Sequence, residues 1–210
     1  MRRPSWRDSR LLVVDVELTG LDRARDEVIA FGAVPIEGGR IVAGCMVEGL
    51  VRPRRNPTAE SVEIHGIRPQ DLEQAPSPPE AFAPLLAALP GATPIAHAAW
   101  VEQAFLGPAL RGAGSRLPRR MIDTAELWRL LGIVRDSRDP GYRPLREITD
   151  ALGLPTHHPH QALGDALTTA QVFLALATHL EALGQGSLHD LTHAGDRIAT
   201  HATFHGGSRR

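Results

Sequence analysis

Lysine is absent from this 210-residue chain, so all 23 of its basic side chains are arginine. Genome composition is the plainest reading of that bias, although an arginine fork also suits bidentate phosphate contacts. A single cysteine, Cys45, excludes an internal disulfide and fits a reducing compartment. Aromatic residues make up 4%, too few for a wide base-stacking platform of the single-strand-binding type. A surplus of either charge is missing too. The formal net charge of −1 supplies no global attraction for a polyanion, although a small site requires only a local field. No run approaches the roughly 18 apolar residues of a membrane helix. The opening MRRPSWRDSRLLVV is basic, but Asp15 and Glu17 interrupt its apolar run, which makes a poor signal peptide. No membrane association and a cytoplasmic location are the default expectations.

The apolar fraction of 42% and charged fraction of 22% suit one substantial domain with a proper core. Arg10 to Glu17 reads as a strand buried on both faces, and Glu27 to Ile36 and Arg40 to Val51 as the next two. Glu37-Gly38-Gly39 between the latter has hairpin chemistry. Short helical pieces follow around Ala59 to Ile64 and Pro69 to Gln74. Ser77-Pro78-Pro79-Glu80 has the form of a capping box opening a helix that ends by Pro90-Gly91. Thr93 to His97 reads as a strand, Ala99 to Arg111 as a helix, and Arg119 to Ile122 as another strand. Helices are expected over Asp123 to Leu131, over Pro144 to Leu152, and across His160 to Leu183, with a frayed tail from His201 to Arg210. The order predicts an α/β fold with a mixed sheet. Residues 1–9 read as an N-terminal extension, 10–183 as the domain, and 184–210 as a partly disordered C-terminal extension.

Asp15 and Glu17 alternate with apolar residues on the first strand and so project from one face. Two carboxylates there are costly unless they bind something, or unless the strand end simply dips into solvent. Glu102 lies on the helix after the fourth strand, and Asp165 faces away from the apolar stripe of the last long helix. Crowded carboxylates raise one another's pKa unless a cation neutralises them, and hard divalent ions prefer oxygen donors. His160 sits five residues before Asp165, about 500° away on a helix, so it shares the cleft only from the approach to that helix. His157, His158 and His160 lack a completing ligand set for zinc. His189-Asp190 resembles the dipeptide of histidine–aspartate phosphohydrolases but has no matching upstream histidine pair.

The order Asp15-x-Glu17-x-Thr19-Gly20, then His97-x-Ala99-x-x-Glu102, then His160-x-Ala162-x-x-Asp165-Ala166 resembles the DEDDh 3′→5′ exonucleases. His65-Gly66-Ile67, Asp123-Thr124 and the leucine-bearing stretch Leu145 to Leu154 strengthen the likeness. The resemblance implies a ribonuclease H-like fold and hydrolysis of single-stranded 3′ ends, DNA before RNA, with two Mg²⁺ or Mn²⁺ ions. It implies that Asp15 bridges the ions, Glu17 and Asp165 complete the tighter site, and Glu102 supports the second. It makes His160 the general base, and places Leu18, Thr19, His65 and Ile67 against the terminal nucleotide. A DNA polymerase is the implied macromolecular partner, and the oligomeric state is left open. The chain departs from the family pattern at Leu18 (usually threonine), Ala98 (usually asparagine) and Glu102 (usually aspartate). The expectation is an active, slower enzyme. An exoribonuclease of short RNAs and a catalytically impaired nucleic-acid- or polymerase-binding relative are the alternatives.

Overall fold

In the computed structural model, residues 3–137 and 139–206 are described, without the side chains of 201–206. The strands are β1 (Leu11–Leu18), β2 (Val28–Glu37), β3 (Arg40–Ile41) and β4 (Val47–Leu50), followed by helices α1 (Ala59–His65), α2 (Pro69–Leu72), α3 (Pro78–Ala81) and α4 (Ala83–Ala88). Then come β5 (Thr93–Ala96), α5 (Gly107–Gly112), β6 (Ile122–Asp123), α6 (Thr124–Asp136), α7 (Leu145–Leu152), α8 (Ala162–Ala182), α9 (Leu188–Thr192) and α10 (Ala194–Gly206). A mixed sheet runs β3-β2-β1-β5-β6, with β4 also paired to β2. The β1–β2 pair is antiparallel, whereas β1–β5 and β5–β6 are parallel. The α/β fold with a ribonuclease H-like mixed sheet flanked by helices is thus the architecture found.

Alternation along β1 sorts the core into two layers. Leu11 and Val13 face a cluster with Phe173 and Leu176 of α8, whereas Leu12 and Val14 face one with Phe82 and Leu85. Asp15 and Glu17 continue the α8-facing row, only part-buried where the strand leaves the core. Gly38 and Gly39 have φ of +57° and +72°, as a tight hairpin between β2 and β3 requires.

Several expectations are corrected. Arg40 to Val51 is two strands rather than one. The Val42 N–H still reaches the Pro35 carbonyl, but Pro35 has no N–H to return, and the ladder breaks there. The helix opened by Ser77 divides at Phe82, because Pro84 cannot donate to the preceding turn. Its capping box forms as expected, with the Ser77 N–H donating to Glu80 at 3.1 Å. Beyond Gly184 two further helices pack back on the domain, burying Leu191, Ala194 and Ile198. The N-terminal segment also enters the core: Trp6 is fully buried and meets Phe173 edge-on at 5.5 Å. Of the tail expected to fray, the backbone is helical to Gly206, and residues 207–210 lie outside the described residues.

No helix among the described residues is long and apolar enough to cross a membrane.

Candidate active site

The β1–β2 register sets Asp15 opposite Gly32 and Glu17 opposite Ala30, with an irregularity just after Glu17. A Cβ on Gly32 would collide with the backbone of Ala162 and Leu163, so its absence lets the start of α8 rest directly on β2. A Cβ on Gly164 would collide with the carbonyls of His157 and His158, so that loop packs onto the same first turn. One long-range and one local contact between glycine and backbone therefore carry Asp165 to the end of β1. One carboxylate oxygen from each of Asp15, Glu17 and Asp165 lies within 4.8 Å of the others. Gly32→Ala should move α8 off the sheet. We expect a loss of roughly 1–3 kcal/mol of stability from overpacking and about 100-fold of activity from ~1 Å of misplacement. Denaturant melts and initial rates measure the two separately.

His160 precedes α8, as the angular argument required, and lines a cleft of about 530 Å³ together with Asp15, Asp165, His97 and Arg146. Its backbone is left-handed, φ +61°, and its N–H donates to the Asp165 carboxylate at 2.8 Å. That bond ties the histidine to the carboxylate cluster through the main chain and leaves the imidazole exposed at the rim. Strain of this kind persists where surrounding contacts over-determine it.

Glu102 is 2% exposed and lies outside the group of three, but its charge acts on Asp15. It opens a π-turn, Glu102–Leu106, in which the Gly107 N–H bonds back to its own carbonyl. One of its carboxylate oxygens is buried with no hydrogen-bond partner. Asp123 holds this helix in place. Its two oxygens accept from the N–H groups of Ala98 (3.0 Å), Ala99 (2.9 Å) and Ala125 (2.9 Å), so it braces two helix starts at once. Ala98 adopts φ +57° in that turn, a conformation asparagine tolerates better than alanine.

Burial is the first cause of every raised carboxylate pKa here, and repulsion within the cluster adds to it for Asp15 and Glu17. Asp15 is held well above its ordinary value by burial, then by Glu102, Glu17 and Asp165. Glu17 is pushed up to about 7 by burial and by Asp165. Glu102 rises to about 8, mainly through burial, with Asp123 adding to it. Asp165 is raised by burial despite the bond from His160. Negative charge forced together in this way is what a bound cation relieves. The oxygen-only donor set and the orphaned Glu102 oxygen both fit a divalent metal.

The residues expected at the terminal nucleotide sit around the loop after β1 and the end of α1. Thr19 is fully buried. Its hydroxyl donates to Asp26 (2.8 Å) and accepts from the Glu27 N–H (3.0 Å), while its carbonyl takes Thr58 and Ser61. Its side chain thus shapes the loop after β1. Leu18 is buried, and its carbonyl accepts from His65 Nε2 at 3.2 Å. His65 Nδ1 accepts from the Ile67 N–H at 3.0 Å, so the ring's proton sits on Nε2 and both nitrogens are used internally. His65, Ile67 and His160 nevertheless line a second cavity of about 370 Å³ with Glu48 and Leu50.

The decoys separate cleanly. Among the described residues no histidine joins a group of three metal-type side chains. Ser187 caps α9 with Asp190 completing its capping box, and His189 stacks on His193 at 4.0 Å. What local pattern reading missed was the supporting set: Gly32, Gly164 and Asp123. Only the dipeptide Asp123-Thr124 carried a hint.

A mixed sheet whose central strand ends in clustered carboxylates, completed from a later helix, defines a metal-dependent nuclease of the ribonuclease H-like class. The exonuclease family model RNase_T matches residues 12–173, and the chain belongs to that family, as a DEDD-type 3′→5′ exonuclease domain. It is 34% identical over 192 residues to a PolC-type DNA polymerase III of Thermotoga maritima, covering 91% of this chain and 14% of that protein. It is 32% identical over 187 residues to the 3′-5′ exonuclease DinG of Bacillus subtilis, covering 87% of this chain and 19% of that one. The chain therefore spans about a seventh to a fifth of these curated relatives' lengths. Similar folds occur in E. coli exonuclease I with a dT13 oligonucleotide (TM-score 0.71, 18% identity, 84% of this chain and 42% of that one). Exonuclease X with 5′ overhanging duplex DNA is similar too (TM-score 0.66, 20% identity, 88% and 98%).

Proposed function

We propose that the protein removes nucleoside monophosphates from single-stranded 3′ ends, with DNA as the favoured substrate. The observation that carries the reading is the convergence of Asp15, Glu17 and Asp165 within 4.8 Å beside a cleft rimmed by His160. Asp15, Glu17 and Asp165 would hold a divalent ion, Mg²⁺ or Mn²⁺, and Glu102 would support a second. Bound there, such ions would supply Lewis-acid activation and charge stabilisation. His160 accepts the proton of the attacking water, and its backbone bond to Asp165 keeps the ring beside the reacting phosphate. His65 and Ile67 present the wall of the smaller cavity to the terminal nucleotide, while Leu18 and Thr19 act behind them as framework. Residues 10–183 form the exonuclease domain, and the flanking segments complete its packing. The relatives support association with a DNA polymerase, and the single cysteine supports a cytoplasmic setting.

The test is release of mononucleotides from a 5′-labelled oligonucleotide with Mn²⁺ and with EDTA, DNA and RNA side by side. A shortening ladder with Mn²⁺ alone, faster on DNA, is the expected result. Faster RNA trimming would favour the exoribonuclease, and binding without cleavage the impaired relative.

The π-turn bears on Glu102. The backbone is already deformed at the residue whose side chain is longer than the family's, so backbone and carboxylate are matched. Glu102→Asp should then withdraw the carboxylate by ~1.5 Å and lower the rate on the order of 100-fold. Glu102→Gln, which removes the charge, should lower it as well. A faster Glu102→Asp enzyme would mean that the π-turn compensates for nothing.

A further inference from the structure

Trp100 is 49% exposed, whereas Trp6 is fully buried and Trp128 packs against the core. It stands two residues before Glu102, at the first turn of the same helix. The Arg23 guanidinium lies over its ring, 5.0 Å from the centroid. Arg23 belongs to the loop that leaves β1, so the pair joins the segments that deliver Glu17 and Glu102.

The loop is firmly built. Asp26 accepts from the Thr19 hydroxyl and the Asp22 N–H, both at 2.8 Å, and a Cβ on Gly20 would run into the Asp26 carboxylate. Arg25 takes Asp22 at 3.7 Å, and among the described residues no carboxylate pairs with Arg23. A firmly built loop thus holds a cation without a carboxylate partner among the described residues against one face of a half-exposed indole. An indole face stacks on any base, and a planar guanidinium suits both the ring and a phosphate. With a net charge of only −1, attraction for a polyanion has to be local.

We propose that Trp100 and Arg23 form a stacking and charge platform for a nucleotide upstream of the terminal one in a single-stranded substrate. The proposal rests on the exonuclease reading above. One ring is a single station, consistent with so few aromatics in the chain.

The test compares native protein with Trp100→Ala, Trp100→Phe and Arg23→Ala on two substrates. One is a 5′-labelled single-stranded oligonucleotide, and the other is thymidine 5′-monophosphate p-nitrophenyl ester, which has no upstream nucleotide. Losing one base–aromatic stack should raise KM for the oligonucleotide by roughly 5- to 150-fold in Trp100→Ala. Trp100→Phe should retain most of the affinity, and ester hydrolysis should fall far less than oligonucleotide cleavage. An unchanged oligonucleotide KM, or an equal loss on both substrates, overturns the proposal. If the native protein cleaves neither substrate, the exonuclease reading fails by itself. Anisotropy of the labelled oligonucleotide in EDTA then decides on the platform, which equal binding by native and Trp100→Ala protein overturns. Melting temperatures of all variants check the fold, and Trp100→Phe and Arg23→Ala carry the test if Trp100→Ala unfolds.

Discussion

Asp15→Asn and Asp165→Asn should each cut cleavage on the order of 10³-fold, the scale set by losing one preorganised charge from a catalytic centre. Both side chains contribute to the 4.8 Å cluster, and Asp15 feels all three other carboxylates. The same substitutions should act oppositely on the metal-free fold. A carboxyl whose pKa is raised on folding binds its proton more tightly in the native state, so stability is fully present below the unfolded value near 4. It is lost as pH rises through the folded values, about 7 for Glu17 and about 8 for Glu102. In EDTA the native protein should therefore melt at lower temperature at pH 8 than at pH 5, and Asp15→Asn should narrow that difference. Each kcal/mol recovered corresponds to roughly 2–4 °C. Mn²⁺ at pH 8 should raise the melting point of native protein more than that of Asp15→Asn. Wild-type cleavage by Asp15→Asn, or an apo melting point that rises from pH 5 to pH 8, would remove the basis of the metal assignment.

What the sequence made legible was local. The apolar run Leu11 to Val14 announced β1, the paired glycines announced the hairpin, and alternation placed Asp15 and Glu17 on one face. Proline chemistry was legible in principle as well. Pro35 and Pro84 break a ladder and a helix for reasons of missing N–H groups, but local periodicity alone smoothed over both. The supporting structure of the site was not local. Nothing near Gly32 says that α8, some 130 residues on, will lie against it, and nothing near Asp123 says that it braces the turn at Ala98. Thr19 carries a further contact, its hydroxyl turning inward to Asp26, which the motif does not announce. The π-turn at Glu102 also has no propensity signature, because widening a helix by one residue is decided by what the helix packs against.

His160→Ala should lose roughly 10²- to 10⁴-fold in kcat, the usual contribution of a positioned general base. The imidazole is exposed at the rim of the carboxylate cleft, so its removal leaves no cavity in the core and should change the melting temperature little. The bond that the residue makes to Asp165 comes from its backbone N–H, which alanine retains. Position 160 will still carry the left-handed φ of +61°, and His160→Gly would relax that conformation. The pair separates two roles for this position. If the imidazole is the base, both variants lose rate alike, and the limb of the pH–rate profile that reports the base disappears in both. If the residue serves only to turn the chain into α8, His160→Gly stays close to the native rate and keeps the native pH profile. His158, left-handed like His160, and His189, stacked on His193 at the surface, supply the controls. Their alanine variants should cleave within about twofold of the native protein. A crippled His189→Ala protein beside an active His160→Ala protein would move the chemistry away from the carboxylate cleft altogether.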